Sequence, residues 1–283
     1  MKKFFLKKGD EQKPEKSGQD KIRKIIPLRK KKPEFFKKNN GKQSLPSINE
    51  QTRLNKYIAS AGICSRREAD KLIEDGQIKV NDQIVTELGS KVFPGDKVEY
   101  KGKTLKGEKM IYVLLNKPKD YITTMDDPQG RKTVMELVRS ACKERIYPVG
   151  RLDRNTTGLL LLTNDGELAK KLTHPKHNIR KVYEVNLDRL LSLEDMQKIV
   201  DGIELEDGKI EVDAIAYTGE NKKEIGIQLH SGRNRIVRRI FEKLNYDVVK
   251  LDRVSFADLT KKELPRGHWR FLTPKEIGFL KML

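Results

Sequence analysis

The chain has little cysteine and no long apolar run. Its two cysteines, Cys64 and Cys142, lie far apart and form no Cys-x-x-Cys pair, which leaves neither a disulfide framework nor a thiolate zinc site. A bilayer span needs about 18 to 20 apolar residues. Here the longest unbroken leucine stretch is Leu159 to Leu162. No secretion is expected, because Phe4-Phe5-Leu6 gives way at once to Lys7-Lys8 with no apolar stretch or cleavage site after it. These absences predict a soluble protein of a reducing cytoplasm, with no membrane partner. Metal-ligand spacing is equally sparse: His174 and His177 are close in sequence, but no cysteine or carboxylate completes a familiar set.

What the sequence has in excess is positive charge. Lys and Arg number 60 against 41 Asp and Glu, a net +19 over 283 residues, a length that suits two domains and a sizeable core. Over half of that charge lies in residues 1–50, where 16 basic side chains face 6 acidic ones and Lys runs such as Arg29-Lys30-Lys31-Lys32 carry no amphipathic period. This segment reads as a disordered basic arm. It is either a solubilising tail or a counterion-releasing arm on a polyphosphate, and the charge excess favours the second.

Residues 52–98 read as a small domain of two helices and a small sheet. Thr52 is placed to cap a helix with apolar positions Leu54, Tyr57, Ile58 and Ala61, ended by Gly62. Ser65-Arg66-Arg67-Glu68 has capping-box spacing ahead of a second helix, with Ala69, Leu72 and Ile73 inward and Asp75-Gly76 at its end. Short strands follow around Ile78, Val80, Ile84, Val92, Val98 and Tyr100. Arg53, Lys56, Arg66, Arg67 and Lys71 lie on or beside the helices, the last three on one face, a natural phosphate-contacting set. An exposed basic helix face is more often simply solvated. The runs Arg53 to Ala59, Cys64 to Asp70 and Ile78 to Asn81, however, resemble the S4 RNA-binding domain, and that resemblance implies RNA binding.

A linker over 99–108, without a packing surface of its own, precedes a larger domain at 109–283. Ile111 to Leu115 reads as a buried strand and Val134 to Val138 as a short helix. Gly150-Arg151-Leu152-Asp153-Arg154-Asn155-Thr156-Thr157-Gly158 is a polar loop with glycine at both ends, anchored to the apolar strand Leu159 to Leu162, and such a loop is held rigidly enough to orient a catalytic group. In the strand Lys181 to Leu187, Tyr183, Val185 and Leu187 share the interior face. Ser192 starts a helix that Asp201-Gly202 ends, Asp207-Gly208 turns a hairpin, and Ile225, Ile227 and Leu229 alternate in a further strand. After Gly232-Arg233-Asn234-Arg235 comes a helix with Ile236, Val237, Ile240 and Phe241 inward and Arg235, Arg238, Arg239 and Glu242 on the other side. With Glu242 as the one nearby acid in sequence, three arginines on one face predict an anionic partner.

Taken singly, each of these residues has an ordinary explanation: Asp153 as a turn former, Tyr183 as core, Arg238 as a solvated helix residue. Their order and spacing argue otherwise. Gly150 to Asp153 with Thr156 to Leu159, then Lys181-Val182-Tyr183, then Gly232 to Arg235 with Val237-Arg238-Arg239, resemble the ribosomal RNA pseudouridine synthases of the RsuA and RluB group, over about 52–277. The run Asn155 to Ala169 and His174-Pro175 look more like the large-subunit RluB branch than the small-subunit RsuA branch. Three positions depart from the group: Ser231 where an acid is common, Ile236 where glutamine is common, and Ala257 where glycine is common.

The resemblance implies an α+β protein whose larger domain has a central, largely antiparallel mixed sheet with flanking helices, and whose reaction turns uridine into pseudouridine in rRNA or a pre-ribosomal particle. That isomerisation breaks N1–C1′, turns the uracil and joins C5 to C1′, so it needs no cofactor. The resemblance gives Asp153 the catalytic role, either by covalent attack or by taking the C2′ proton to give a glycal, and the sequence leaves both routes open. It puts Tyr183 against the base, with a part in the final proton removal at C5, and pairs Arg238 with Asp153, a pairing that would keep the carboxylate ionised. Arg151, Arg154, Arg233, Arg235 and Arg239 join the basic residues of the small domain as RNA contacts, with Arg151 and Arg154 serving either phosphates or the loop itself. Reaching a stacked base requires flipping it out. A monomer is expected. Two rival readings are a binding or assembly factor that has lost turnover and a nucleosidase that releases uracil. No second positioned carboxylate suggests a retaining glycosidase.

Overall fold

The computed structural model describes residues 51–283. The basic arm expected at 1–50 lies outside the described residues. The small unit opens with strand β1 (Thr52–Arg53), helices α1 (Leu54–Ser60) and α2 (Arg66–Glu74), then strands β2 (Ile78–Val80), β3 (Gln83–Ile84), β4 (Lys91–Val92), β5 (Val98–Tyr100) and β6 (Lys103–Thr104). Thr52 does not cap α1: it pairs with Val92 in a two-stranded ladder, and Arg53 holds the N-cap position without a side-chain cap. The second helix follows its sequence signal, with the Ser65 hydroxyl accepting from the Glu68 amide and the Glu68 carboxylate accepting from Ser65 N in a complete capping box.

The expected linker is partly structural. Residues 103–104 pair with β5, the Leu105 amide donates to Val98 O, and the Leu105 side chain is buried among Leu54, Ile58, Ile73 and Val98. The Lys-Gly-Lys-Thr run reads as linker because its side chains are polar, yet strand pairing needs backbone groups rather than apolar side chains.

The larger unit contains β7 (Tyr112–Lys117), α3 (Val134–Val138), β8 (Tyr147–Pro148), β9 (Thr157–Thr163), α4 (Gly166–Thr173), a 3-10 turn (Pro175–His177), β10 (Lys181–Leu187) and α5 (Leu193–Asp201). The hairpin β11 (Ile203–Leu205) and β12 (Gly208–Ile210) follows, then β13 (Ala214–Tyr217), β14 (Glu224–Leu229), α6 (Ile236–Lys243), β15 (Val248–Phe256), β16 (Leu259–Thr260), β17 (Trp269–Phe271) and α7 (Pro274–Met282). One sheet runs in the order β13-β14-β10-β15-β9-β7-β17, with β16 on β15 and β8 on β9. Every ladder in it is antiparallel except β15 with β9. The fold is therefore α+β, as expected.

Both faces of this sheet are covered, which accounts for the unbroken leucine run in β9. Leu160 and Leu162 join Val113, Leu115, Tyr183, Val185 and the apolar sides of α5 and α6, while Leu159 and Leu161 join Leu114, Leu168, Leu172, Phe256 and Leu280 on the opposite face. The register then does something specific for function. Gly158, Arg253 and Tyr183 fall side by side on β9, β15 and β10. Gly158 has φ +108, and a Cβ there would strike the backbone of Arg253. The two central strands meet closely because this residue has no side chain. Ala257, where the group commonly has glycine, sits at φ +49 in the turn between β15 and β16, the left-handed region that favours glycine.

No helix among the described residues is long and apolar enough to cross a membrane. If Leu105 belongs to the small unit's core, Leu105→Ala should cost that unit about 2 to 4 kcal/mol. Hydrogen exchange of the β2 and β5 amides checks this, and a change below about 0.5 kcal/mol, the level of an ordinary surface substitution, would show 103–105 to be linker after all.

Candidate active site

The loop that ends in β9 is tied down from beneath by a buried lysine. Lys117, the last residue of β7, is fully buried, and its Nζ donates to the carbonyls of Pro118 at 3.0 Å, Asp153 at 3.1 Å, Arg154 at 3.3 Å and Thr156 at 2.8 Å. Three of those four carbonyls belong to the loop, so the ammonium fixes the backbone from which the Asp153 side chain projects. Burial pulls the Lys117 pKa down from 10.5 to about 8, against the opposing fields of Asp153 and Asp120. The Thr123 hydroxyl adds a second tie, donating to Leu152 O at 2.8 Å. A sequence reading misses Lys117 because a lysine at a strand end looks like a solvated terminus; the signal was its place at the end of the buried run Tyr112 to Leu115.

Above this support lies a cavity of about 270 Å³. Asp153 and Tyr183 both line it, as do Arg151, Arg233 and Arg235. Two cations to which the sequence reading gave no role line it too, Lys181, which it quoted only as part of a motif, and Arg253, together with Thr156 and Phe256. The Tyr183 ring is buried on β10 opposite Arg253, as the period-two pattern requires. One expected feature differs. Arg238 forms no ion pair with Asp153: its Nη1 donates to Val248 O at 2.7 Å, and its Nε is buried without a partner. Burial lowers the Arg238 pKa, the Arg235 charge lowers it further, and the field of Asp153 opposes both. The two residues are electrostatic neighbours, but the strand carbonyl has taken the guanidinium.

The other basic residues are less free than the sequence suggests. Asp207, at the hairpin between β11 and β12, accepts from Arg239 at 2.7 Å and 3.0 Å and from Arg233 at 3.5 Å. Arg235 pairs with Glu242 at 3.1 Å and Arg154 with Asp120 at 3.2 Å. The acid that balances the arginine face thus comes from a hairpin some 30 residues earlier, where helical i±4 counting cannot find it. In the small unit, Lys56 pairs with Glu167 of α4, while Arg53, Arg66, Arg67 and Lys71 are exposed. His174 and His177 stack edge to face in their loop, and no group of three or more His, Cys, Asp and Glu among the described residues could hold a metal.

A basic helical unit of S4 type beside a cavity that joins one carboxylate, one aromatic ring and several cations defines an enzyme acting on a nucleotide within RNA. Comparison with known proteins makes the class specific. A family model described as RNA pseudouridylate synthase matches residues 111–243, and the S4 domain model matches 52–98. The chain is 44% identical to ribosomal large subunit pseudouridine synthase B of Bacillus subtilis, over 82% of this chain and 96% of that one. It is 36% identical to the protein of the same name from Vibrio vulnificus, over 82% of this chain and 75% of that one. A solved structure described as a pseudouridylate synthase superposes with a TM-score of 0.57 at 29% identity, covering 81% of this chain and 99% of that chain. The chain belongs to the RNA pseudouridine synthases.

Lys117→Met removes the donor shared by the carbonyls of residues 118, 153, 154 and 156, of which Asp153 O and Arg154 O keep the Thr156 and Asp120 amides at 3.0 Å, at a total cost of about 1 to 3 kcal/mol. Turnover, followed as tritium release from RNA labelled at C5 of uridine, should fall at least about tenfold. An activity within a factor of about two of wild type would remove Lys117 from this role. Burial also holds Lys181 at about 8, so both lysines lose protons in the folded state well before they would in the unfolded chain, near 10.5. Between those values the unfolded chain binds more protons, so these two groups make stability rise with pH, while the ties they donate weaken. Turnover should therefore decline above about pH 8 with no parallel fall in Tm contributed by these lysines. A pH profile flat to pH 9.5 would contradict this.

Proposed function

We propose that this chain isomerises uridine to pseudouridine in large-subunit ribosomal RNA, with Asp153 as the catalytic carboxylate, Tyr183 packed against the base and Arg238 as its electrostatic neighbour. The observation that carries this reading is one cavity lined by both Asp153 and Tyr183 and rimmed by arginines, in a chain that aligns over most of its length with two enzymes named for the large subunit. The cavity can take one extruded nucleoside, and the substrate must come out of its stack to enter it.

The work divides among the residues as follows. Asp153 acts at the ribose, either on the sugar or base directly or on the C2′ proton, to labilise N1–C1′. The wall formed by Tyr183 holds the uracil while it turns, so that C5 rather than N1 faces C1′. Tyr183 then assists loss of the C5 proton, which restores aromaticity after the new bond forms. The sequence is redox-neutral and has one substrate, so the reading includes no cofactor. Arg151, at the exposed rim, meets backbone phosphate, and Arg53, Arg66, Arg67 and Lys71 of the S4 unit grip RNA outside the cleft. Arg154, Arg233, Arg235, Arg239 and Lys56 do so by exchanging their present carboxylate partners for phosphate.

The chain acts as a monomer in this reading. A ribosomal RNA or pre-ribosomal substrate and two unpaired cysteines suit the cytoplasm. The rival reading of a binding factor without turnover has against it the intact Asp153 and Tyr183 in a formed cavity.

Asp153→Asn keeps the size and the hydrogen-bonding edge of the side chain but removes its negative charge and basicity. Binding to an unmodified large-subunit rRNA transcript should stay within about threefold of wild type, and tritium release should fall by at least about 10³. Product analysis should show wild-type enzyme yielding pseudouridine with no free uracil. Turnover retained by Asp153→Asn would assign the chemistry to another residue.

A further inference from the structure

Two of the cavity's cations are hard to explain as parts of the fold. Arg253 is only 3% exposed, yet it forms no ion pair among the described residues. Its Nε donates to Leu159 O at 2.8 Å and its guanidinium stacks on Phe256 with 4.6 Å to the ring centroid, which fixes its direction, while its Nη2 is buried with no hydrogen-bond partner. Lys181 lies beside it. The Nζ of Lys181 donates to His230 O at 2.7 Å and Ser231 O at 3.3 Å, and it too has no carboxylate partner among the described residues. Asp213, the acid whose field reaches Lys181, is paired with His230 at 2.9 Å. The same cavity has a third unanswered donor: Thr156 Oγ1 is buried without a partner.

Arg253 is buried and Lys181 half-buried, and holding two like charges side by side there without a counter-ion costs free energy, so a folded protein retains such a pair when something outside it supplies the anion. Asp153 lines the same cavity but pairs with neither cation. We propose that Lys181 and Arg253, with the Thr156 hydroxyl, form an anion subsite in the cavity wall that takes the phosphodiester group next to the isomerised uridine. This rests on the reading of the cavity as the active site. A phosphodiester has two free oxygens and carries its charge before any chemistry begins, which matches two fixed cations in the ground state. The uracil anion left when N1–C1′ breaks is the other anion the reaction offers, and it exists only after the first step. In this arrangement the subsite anchors the backbone at one wall while Asp153 meets the ribose at another, so the extruded nucleotide is held at two points. Sequence places Lys181 two residues before Tyr183 on β10, and register places Arg253 across from that tyrosine on β15, so one pair of strands carries both the aromatic wall and the anion site.

The test compares wild type with Lys181→Met, Lys181→Arg and Arg253→Lys, using an unmodified large-subunit rRNA transcript in filter binding between 50 and 200 mM KCl. Removing one phosphate-neutralising charge should reduce the slope of log affinity against log salt by about 0.7 to 0.9. Lys181→Met should show that shallower slope and bind about tenfold more weakly at the low-salt end, Lys181→Arg should regain the wild-type slope, and Arg253→Lys should keep the slope while losing affinity about threefold. Wild-type affinity and slope in Lys181→Met would overturn the proposal. If that variant also isomerised slowly at saturating RNA, the anion served would be the uracil. The active-site reading fails separately, by turnover in Asp153→Asn, whatever Lys181→Met does.

Discussion

A single ammonium group at the end of β7 holds the loop that carries Asp153 in place. A lysine in the interior is an expensive way to organise a loop, since burial opposes its charge, but it has an advantage over any apolar substitute. Its tetrahedral donors reach several backbone carbonyls at once and tie Pro118 to the loop, adding a second donor to Asp153 O and Arg154 O, which already accept from the Thr156 and Asp120 amides. The four contacts of Lys117 are therefore both a solution to a backbone problem and the reason Asp153 has a defined position. Gly158 makes the complementary contribution on the other side of the loop. Its lack of a side chain lets β9 lie against β15, so that loop, aromatic ring and buried arginine come within one cavity.

Electrostatically, the molecule is divided between cations that already have partners and cations that do not. Asp207, Glu242 and Asp120 hold arginines in place, two of which, Arg233 and Arg235, line the cavity, and the bidentate contact of Asp207 with Arg239 fixes a guanidinium plane. These are exposed pairs of small net worth, easily traded for phosphate. Inside, Lys181 and Arg253 have carbonyl or aromatic neighbours and no ion-pair partner among the described residues. On β15, next to Arg253 in sequence, Asp252 shows the opposite arrangement: burial pushes its carboxyl up, but hydrogen bonds from Arg266 and Lys261 outweigh this and hold it at about 2. The contrast with this saturated network makes the unpaired cations of the cavity informative.

Much of this was legible in the sequence, for identifiable reasons. The strand Lys181–Leu187 and the helices Arg66–Glu74, Val134–Val138 and Ile236–Lys243 are set by local patterns, namely capping side chains and apolar periods that act within a few residues. Asp153 and Tyr183 stood in motifs, and the cavity contains both. What stayed hidden depends on long-range pairing. Whether Arg253 is a surface residue or a buried one is decided by strands at 157–163 and 181–187, far from it in sequence. The partner of Arg239 sits 32 positions away on a hairpin. The strand at 103–104 is made by backbone donors that no side-chain pattern reports. Arg238 exemplifies the remaining kind of miss: its helix and face were right, but a carbonyl on β15 competes for its guanidinium.

The account stands or falls on whether Asp153, held by its lysine-tied loop, rearranges a uridine in large-subunit RNA. The most direct measurement is a nucleotide-resolution pseudouridine map of ribosomal RNA from a strain lacking this chain, complemented with wild type or with Asp153→Asn. The expected result is at least one large-subunit site missing in the deletion, restored by wild type and still missing with Asp153→Asn. A map unchanged by the deletion, or a site restored by Asp153→Asn, would contradict it.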